Sequence, residues 1–447
     1  MAKTLVLDVV GLTPRLLRFA PRISALGPAA ALTPPLPAVT CTSQATMLTG
    51  LPPARHGIVG NGWFFRELNE ILFWRQSRRL VEAPLLWEGR GESAAVLFWW
   101  FNMASTARWT MTPRPAYPAD GRKIPDVYSD PPELGVDAQR RHGPFPLFRF
   151  WGPLAGIEST RWIASAAIDL LQREDPELCL VYLPHLDYDL QRFGPDDPRI
   201  PEQVRLVDAE AGRILDAAPG RRALVVSEYG IEGVAGAVAP NRLLREAGLL
   251  GVIDNYVGEL LDPHRSRAFA VCDHQIAHVY VRDPRDIAAV RRVFEGHGEL
   301  LDKRASGLDH PRSGELVLLA PKGRWFSYPY WLDDARAPDF ARTVDIHRKP
   351  GYDPCELIRD PAVGGLSLAW MIAKRRLGLR SLLRVTPLDT SRVKGSHGRL
   401  PEDPEEGPLL IGDGDRPRAM AEVREAILRA LSEAPPRPPP SRPPAEA

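Results

Sequence analysis

A threonine at a helix start, approached through prolines and followed by a glycine stop, is the first place in this chain where residue types and spacing allow chemistry. Pro34, Pro35 and Pro37 hold the approach extended, so helix cannot begin before Val39. The spacing predicts that Thr40 caps a helix running to about Thr49, with Gly50 as a left-handed stop. A hydroxyl there sits where backbone N–H groups and the positive end of the helix dipole converge, a setting suited to phosphate or sulfate. Beside a metal ion the same hydroxyl can ionise and attack phosphorus; without one it only caps a helix. Asp8 ends the apolar run Thr4-Leu5-Val6-Leu7, where open α/β sheets present their ligands. Two further groups have ligand-like spacing. Asp273-His274 with His278 has the i, i+4 interval that binds a metal on a helix, but the run reads as extended, which favours structural or cap-facing roles. Asp345 and His347 alternate, so a strand would point both to one face. There they either supply coordination and, with Arg348 and Lys349, bind an anionic substrate, or form a salt-bridged surface strand.

From Pro37 to Asn61 the chain resembles the nucleophile segment of nucleotide pyrophosphatases/phosphodiesterases in the alkaline phosphatase superfamily. Thr40, Thr49-Gly50 and Pro53-Ala54-Arg55-His56-Gly57-Ile58 match it, and Asn61 falls where the family places a phosphate-contacting Asn. The resemblance implies that Thr40 is the nucleophile, that Asn61 and the backbone N–H of Cys41 stabilise the oxygen that gains charge, and that two divalent metal ions are bound, zinc in the family. Asp8 is then the first metal ligand. Anchored on Gly194-Pro195, the family's Asp-x-x-Gly-His-x-x-Gly-Pro falls on Asp187 and Gln191. Its Ser-Asp-His-Gly falls on Ser227-Glu228-Tyr229-Gly230, and its Gly-x-His-Gly on Gly395-Ser396-His397-Gly398. The implied ligands are therefore Asp8, Thr40, Glu228 and Tyr229 for one metal, and Asp187, Gln191 and His397 for the other. Gln191, Glu228 and Tyr229 depart from the pattern; nitrogen donors are lost and oxygen donors kept. Such a set suits Mn²⁺ or Mg²⁺ better than Zn²⁺, with Tyr229 binding as phenolate or serving as a hydrogen bonder behind the ligands. His185, His274 and His347 are the candidates to supply missing nitrogens.

These residues need a scaffold that brings distant segments together. The apolar runs Thr4–Leu7, Ala94–Trp100, Cys179–Leu183 and Ala223–Val226 read as buried strands. Ser159–Arg173, 200–217 and Met420–Leu431 have helical spacing. Residues 106–153, dense in Pro and Gly, read as a long surface excursion. The expected fold is a doubly wound α/β sandwich of the alkaline phosphatase type. Its core occupies 1–248 and 341–433, a small α+β cap is inserted at 249–340, and a Pro-rich, disordered tail follows at 434–447. The resemblance covers the core up to about residue 235 and again from about 341 to 413, strongest at 37–61, and the inserted region resembles the family's small cap.

A chain of 447 residues, 44% hydrophobic and 25% charged, with formal net charge +1, reads as a soluble enzyme. It gives no reason to expect nucleic acid or an anionic membrane as partner. The N-terminus starts directly with a strand, no apolar run approaches the roughly 18 residues of a membrane span, and four cysteines lie far apart. A cytoplasmic, reduced protein acting on a small phosphorylated molecule is expected. Three functional readings compete: a metal-dependent hydrolase of phosphate diesters; a phosphonate or phosphomonoester hydrolase, sulfatase or phosphomutase relative on the same core; and a binding protein with a degenerate metal site. The sulfatase variant conflicts with Cys41, which lacks the x-Pro-x-Arg needed for conversion to formylglycine.

Overall fold

The computed structural model describes residues 2–432 apart from 90–92, 120–121, 378, 380, 413 and 415, so the Pro-rich tail lies outside the described residues. Eight strands form the main sheet in the order Ala29–Ala31, Leu409–Gly412, Arg222–Val226, Thr4–Val9, Leu178–Leu183, Ala94–Leu97, Trp109–Pro113 and Val127–Asp130. The five central strands are mutually parallel, while Leu409–Gly412 and Val127–Asp130 pair antiparallel with their inner neighbours. Continuous apolar runs such as Leu5-Val6-Leu7 and Leu180-Val181 are fully buried, as parallel strands covered on both faces must be. Helices Ile157–Glu174 and Ile200–Asp216 pack on each other, and Val423–Ser432 packs on Thr40–Thr49 and the first strand. This is the mixed α/β architecture expected.

The parallel arrangement carries the consequence for function. Asp8 lies level with Tyr182 and Val226 in the neighbouring strands. The segments leaving those strands carry Asp187 four residues and Glu228 two residues beyond the strand ends. Three carboxylates distant in sequence thus meet at one edge of the sheet, as open α/β folds arrange their ligand sites.

A second, antiparallel sheet contains Ala268–Asp273, Ile276–Val281, Leu316–Leu319 and Glu299–Asp302, with helix Ile287–Phe294 beside it and its own apolar cluster. Its first two strands join through a tight turn in which His274 takes a left-handed φ of 59°.

Two expectations about local structure fail. Residues 106–153 are not only surface: Trp109–Pro113 and Val127–Asp130 complete the main sheet, and Pro132–His142 is a helix. Prolines and glycines at the ends of these short elements masked their periodicity. Residues 343–349 form turns rather than a strand, so the alternation of Asp345 and His347 has no sheet face to act on.

Gly230 is fixed by contact: a Cβ there would lie 1.6 Å from the carbonyl oxygen of Glu406. Gly230→Ala must displace the 404–407 turn. The expected cost is about 1–3 kcal/mol, the usual range for overpacking, read as a lower urea midpoint; an unchanged midpoint would show that the turn yields freely.

Candidate active site

The helix starts at Thr40 itself. Val39 is the extended N-cap residue and offers no side-chain cap, while Gly50 adopts the left-handed stop at φ 70°. Thr40 is therefore the first helical residue rather than the cap, and its hydroxyl is free to face inward. It lies 3.1 Å from the Tyr229 hydroxyl, with the Glu228 carboxyl close by. Tyr229 donates its own proton to Asp187 Oδ1 at 3.1 Å, so the Thr40 proton goes to the Tyr229 oxygen. The helix is anchored by His56. Its Nδ1 accepts from the Ile58 N–H at 3.1 Å, leaving Nε2–H to donate to Thr46 at 3.0 Å. Burial lowers the His56 pKa to about 3, so the histidine of the Pro-x-x-His-Gly motif is a neutral strut between the Thr40 helix and the loop carrying Asn61.

Asp8 and Glu228 are fully buried side by side. Gln44, one turn beyond Thr40, donates its amide to Asp8 Oδ2 at 3.2 Å and to Glu228 Oε1 at 2.6 Å. Its own Oε1 accepts from the Trp100 N–H at 2.7 Å, which fixes the amide orientation. The other two carboxylate oxygens, Asp8 Oδ1 and Glu228 Oε2, are buried without a hydrogen-bond partner. Asp187 differs. On helix His185–Phe193 it stands one turn before Gln191, which donates to Asp187 Oδ2 at 2.8 Å, and Tyr229 takes Oδ1. Gln191 Oε1 accepts from the Tyr352 hydroxyl at 2.9 Å. His397 donates Nδ1–H to the Ala38 carbonyl at 2.8 Å, which directs its Nε2 lone pair towards Asp187 Oδ1, 4.0 Å away; histidine ligands are commonly oriented this way.

These donors decide whether the implied metals fit. Among the described residues no three His, Cys, Asp or Glu side chains converge to hold a metal ion. The Asp8–Glu228 half, with Thr40, presents two unpartnered hard oxygens, and that set fits one cation of the Mg²⁺ or Mn²⁺ kind. The Asp187–Gln191–His397 half does not fit. Gln191 and Tyr229 stand where imidazole nitrogens are expected, and each points a hydrogen-bond donor at Asp187. Of the sequence-predicted ligands, Asp8, Thr40, Asp187, Gln191, Glu228, Tyr229 and His397 are all brought together, but two of them act as donors to a third.

Asn61 and Cys41 also meet, in an unexpected sense: Asn61 Oδ1 accepts from the Cys41 N–H at 2.9 Å. Asn61 is held by Asp273, which accepts from its backbone N–H at 2.7 Å and its Nδ2 at 3.1 Å. Asp273 and His274 thus reach the centre from the second sheet. His274 stacks between His397, at 3.6 Å, and Tyr352, at 3.7 Å, and Tyr229 closes the column at 3.5 Å from His397. His278 is a structural histidine bonded to the Val59 carbonyl, and His185 is bonded to Gln203. The substrate roles given to His347 and Arg348 are not supported. Both are exposed; Arg348 pairs with Asp339 at 2.7 Å and covers the Phe340 ring, and the charges facing His347 are Arg75, Lys123 and Asp345. Without a strand, nothing turns them inward.

Sequence reading missed Gln44 and Tyr352 as site residues, and it favoured structural or cap-facing roles for Asp273 and His274, which the structure brings to the centre. Helical spacing from Thr40 signals Gln44. The two-residue turn His274-Gln275 between apolar strands, with Asp273 at the strand end before it, signals the pair. Nothing in the sequence singles out Tyr352.

Comparison with known proteins follows the same lines. A family model described as type I phosphodiesterase / nucleotide pyrophosphatase matches residues 4–353. An uncharacterized pyrophosphatase/phosphodiesterase of Schizosaccharomyces pombe is 26% identical over 207 residues, 46% of this chain and 37% of that protein. The chain therefore aligns with well under half of that curated relative. Murine ectonucleotide pyrophosphatase / phosphodiesterase 5 superposes with TM-score 0.56 at 16% identity, covering 97% of this chain and 96% of that one. Phosphonoacetate hydrolase from Sinorhizobium meliloti 1021, in complex with phosphonoformate, superposes with TM-score 0.59 at 16% identity, covering 97% and 96%.

Burial dominates the electrostatics. It raises Asp187, Glu228 and Asp273 to about 7 and Asp8 well above the carboxylate range, helped by the charge of Glu228. A carboxyl whose folded pKa lies above its unfolded value stabilises the fold below the unfolded pKa, and that contribution is lost as pH rises through the folded one. Metal-stripped protein should therefore lose stability between about pH 4 and pH 7, by on the order of 1 kcal/mol per group per pH unit. Thermal melts should show this fall, and Mg²⁺ or Mn²⁺ added at pH 8 should reverse part of it. A melting temperature that rises from pH 5 to 8 without metal would contradict this picture.

Proposed function

Because the chain belongs to the type I phosphodiesterase / nucleotide pyrophosphatase family, we propose that it hydrolyses esters of phosphoric or phosphonic acid with Thr40 as nucleophile, at a centre built for one cation rather than two. The observation that carries this reading is the Thr40 hydroxyl at the helix start, turned onto Glu228 and Tyr229 instead of capping the helix.

In this mechanism the helix N-terminus attracts the anionic substrate. Thr40 Oγ1 bonds to phosphorus as the ester oxygen leaves, and its proton passes through the Tyr229 hydroxyl to Asp187, whose carboxyl burial raises to about 7. Asn61 and the Cys41 N–H, which satisfy each other in this structure, part to bind the oxygen that gains charge; Asp273 sets how far Asn61 can turn. Asp8, Glu228 and Thr40 would hold the cation, which supplies charge neutralisation and eases ionisation of the threonine. Tyr229 and Gln191 keep Asp187 neutralised in place of a second ion. Water then releases the phosphoryl group from Thr40. A small phosphorylated ligand is further supported by an inactive variant of the murine neighbour, solved in complex with AMP. Four free, buried cysteines support a reducing, cytoplasmic setting.

A second reading is favoured by one observation. Both Asp187 oxygens and the Cys41 N–H are already satisfied, as in a protein that binds phosphorylated molecules without turning them over.

Nitrophenyl diester, monoester and phosphonate substrates separate the two. Thr40→Ala should abolish hydrolysis with little change in stability, because no cap is lost, and Thr40→Ser should retain part of the rate. Hydrolysis by the Ala variant at the wild-type rate would remove Thr40 from the reaction. Ligand binding with no turnover of any ester would establish the binding protein.

Metal content is the complementary test. Wild-type protein dialysed against Zn²⁺, Mn²⁺ or Mg²⁺ should hold one ion or fewer per chain. The double variant Gln191→His with Tyr229→His should bind zinc at a second site, since imidazole is the better zinc ligand. Two tightly held zinc ions in the wild type would overturn the one-cation centre.

A further inference from the structure

Far from the chemistry in character, one stretch breaks the rules for a soluble surface. The chain leaves the body after Asp360 and returns at Val385, where the Asp360 N–H donates to the Val385 carbonyl at 2.7 Å and the Thr386 N–H to the Arg342 carbonyl at 3.0 Å. Between these clamps lies helix Gly365–Arg376. Leu366 is 91% exposed and Trp370 60%, with Leu377 at 73%. Among the described residues, none of the helix's apolar side chains joins the clusters that bury the rest of the molecule.

Charge in this excursion is segregated as well. From Pro361 to Leu388 the sequence holds five basic residues, Lys374, Arg375, Arg376, Arg380 and Arg384, and no acidic one. Polarity runs along the helix rather than around it: Leu366, Leu368, Trp370, Met371 and Ile372 come first and the bases follow. We propose that this clamped excursion docks the protein on an anionic lipid bilayer, its apolar helix start entering the interface and the basic stretch resting at the headgroups.

Three arguments select that occupant. Residues 366–373 rise about 12 Å as helix, which matches the interfacial zone but not the roughly 30 Å of a hydrocarbon core. No helix among the described residues is long and apolar enough to cross a membrane. A second copy of the chain meeting this segment about a two-fold axis would bring two stretches of like charge together, whereas anionic lipid attracts them. Nucleic acid would satisfy the bases and leave Leu366 and Trp370 in water. The overall charge of +1 conceals this local excess, so composition alone points away from a membrane.

The test uses the full chain and sedimented vesicles, either phosphatidylcholine alone or phosphatidylcholine with phosphatidylglycerol. Wild type should pellet with the anionic vesicles, less as salt rises, and remain in solution with the neutral ones. Leu366→Ser with Trp370→Ser should reduce binding about tenfold or more, and Lys374→Ser about fivefold, all with ester hydrolysis in solution unchanged. Failure of the wild type to bind anionic vesicles, or undiminished binding by the double variant, would overturn the proposal. So would a concentration-dependent dimer, seen by sedimentation velocity, that the double variant abolishes while vesicle binding persists.

Discussion

Uncompensated buried negative charge is the constraint on which this centre depends. Asp8, Asp187, Glu228 and Asp273 are buried around the Thr40 helix start, and among the described residues none forms an ion pair with Lys or Arg. A lone ionised carboxylate in such surroundings costs several kcal/mol or more, so each must be hydrogen-bonded, protonated or joined by a cation. The fold gives three different answers. Asp187 receives two neutral donors, Gln191 and Tyr229. Asp273 spends both oxygens on Asn61. Asp8 and Glu228 share one Gln44 amide and retain two unpartnered oxygens, which places the remaining demand for positive charge beside the Thr40 hydroxyl.

That division explains how the departures from the family pattern belong together. A histidine changed to glutamine or tyrosine loses a metal-binding lone pair, but it gains an N–H or O–H that neutralises the neighbouring carboxylate without an ion. Gln191 is itself fixed by Tyr352, and Tyr352 stacks on His274, which stacks on His397. The ring column and the hydrogen-bond chain therefore support each other. His274 pays for its place with a left-handed backbone conformation uncommon for a side chain of its size. The second sheet is more than a lid in this account, since its turn sets both Asn61 and the column.

Much of this was legible in the sequence, for physical reasons that can be named. Apolar runs ending in acidic residues identify parallel strands and the sheet edge where Asp8 and Glu228 meet, because such strands must be buried on both faces and must release their ligands at one end. The spacing from Thr40 to Gly50 fixes the Thr40 helix, though not that Thr40 lies inside it; one residue at a helix boundary decides whether the hydroxyl caps the helix or turns inward. Asp273 and His274 were visible as a pair, but their role depends on a turn between two sheets, which no local pattern reveals. The strands in 106–153 were hidden by prolines and glycines at their ends. His347 and Arg348 were placed by an alternation that only a strand could exploit, and the chain makes turns there instead.

The central claim is that Thr40 forms a bond to phosphorus, and covalent trapping tests it most directly. Protein mixed with an activated phosphate diester, quenched in acid and digested, is examined by mass spectrometry for the phosphoryl half of the substrate. The account predicts an adduct on the peptide holding Thr40, absent from Thr40→Ala. Turnover with the adduct on another residue, or with none on Thr40 at any quench time, would contradict it.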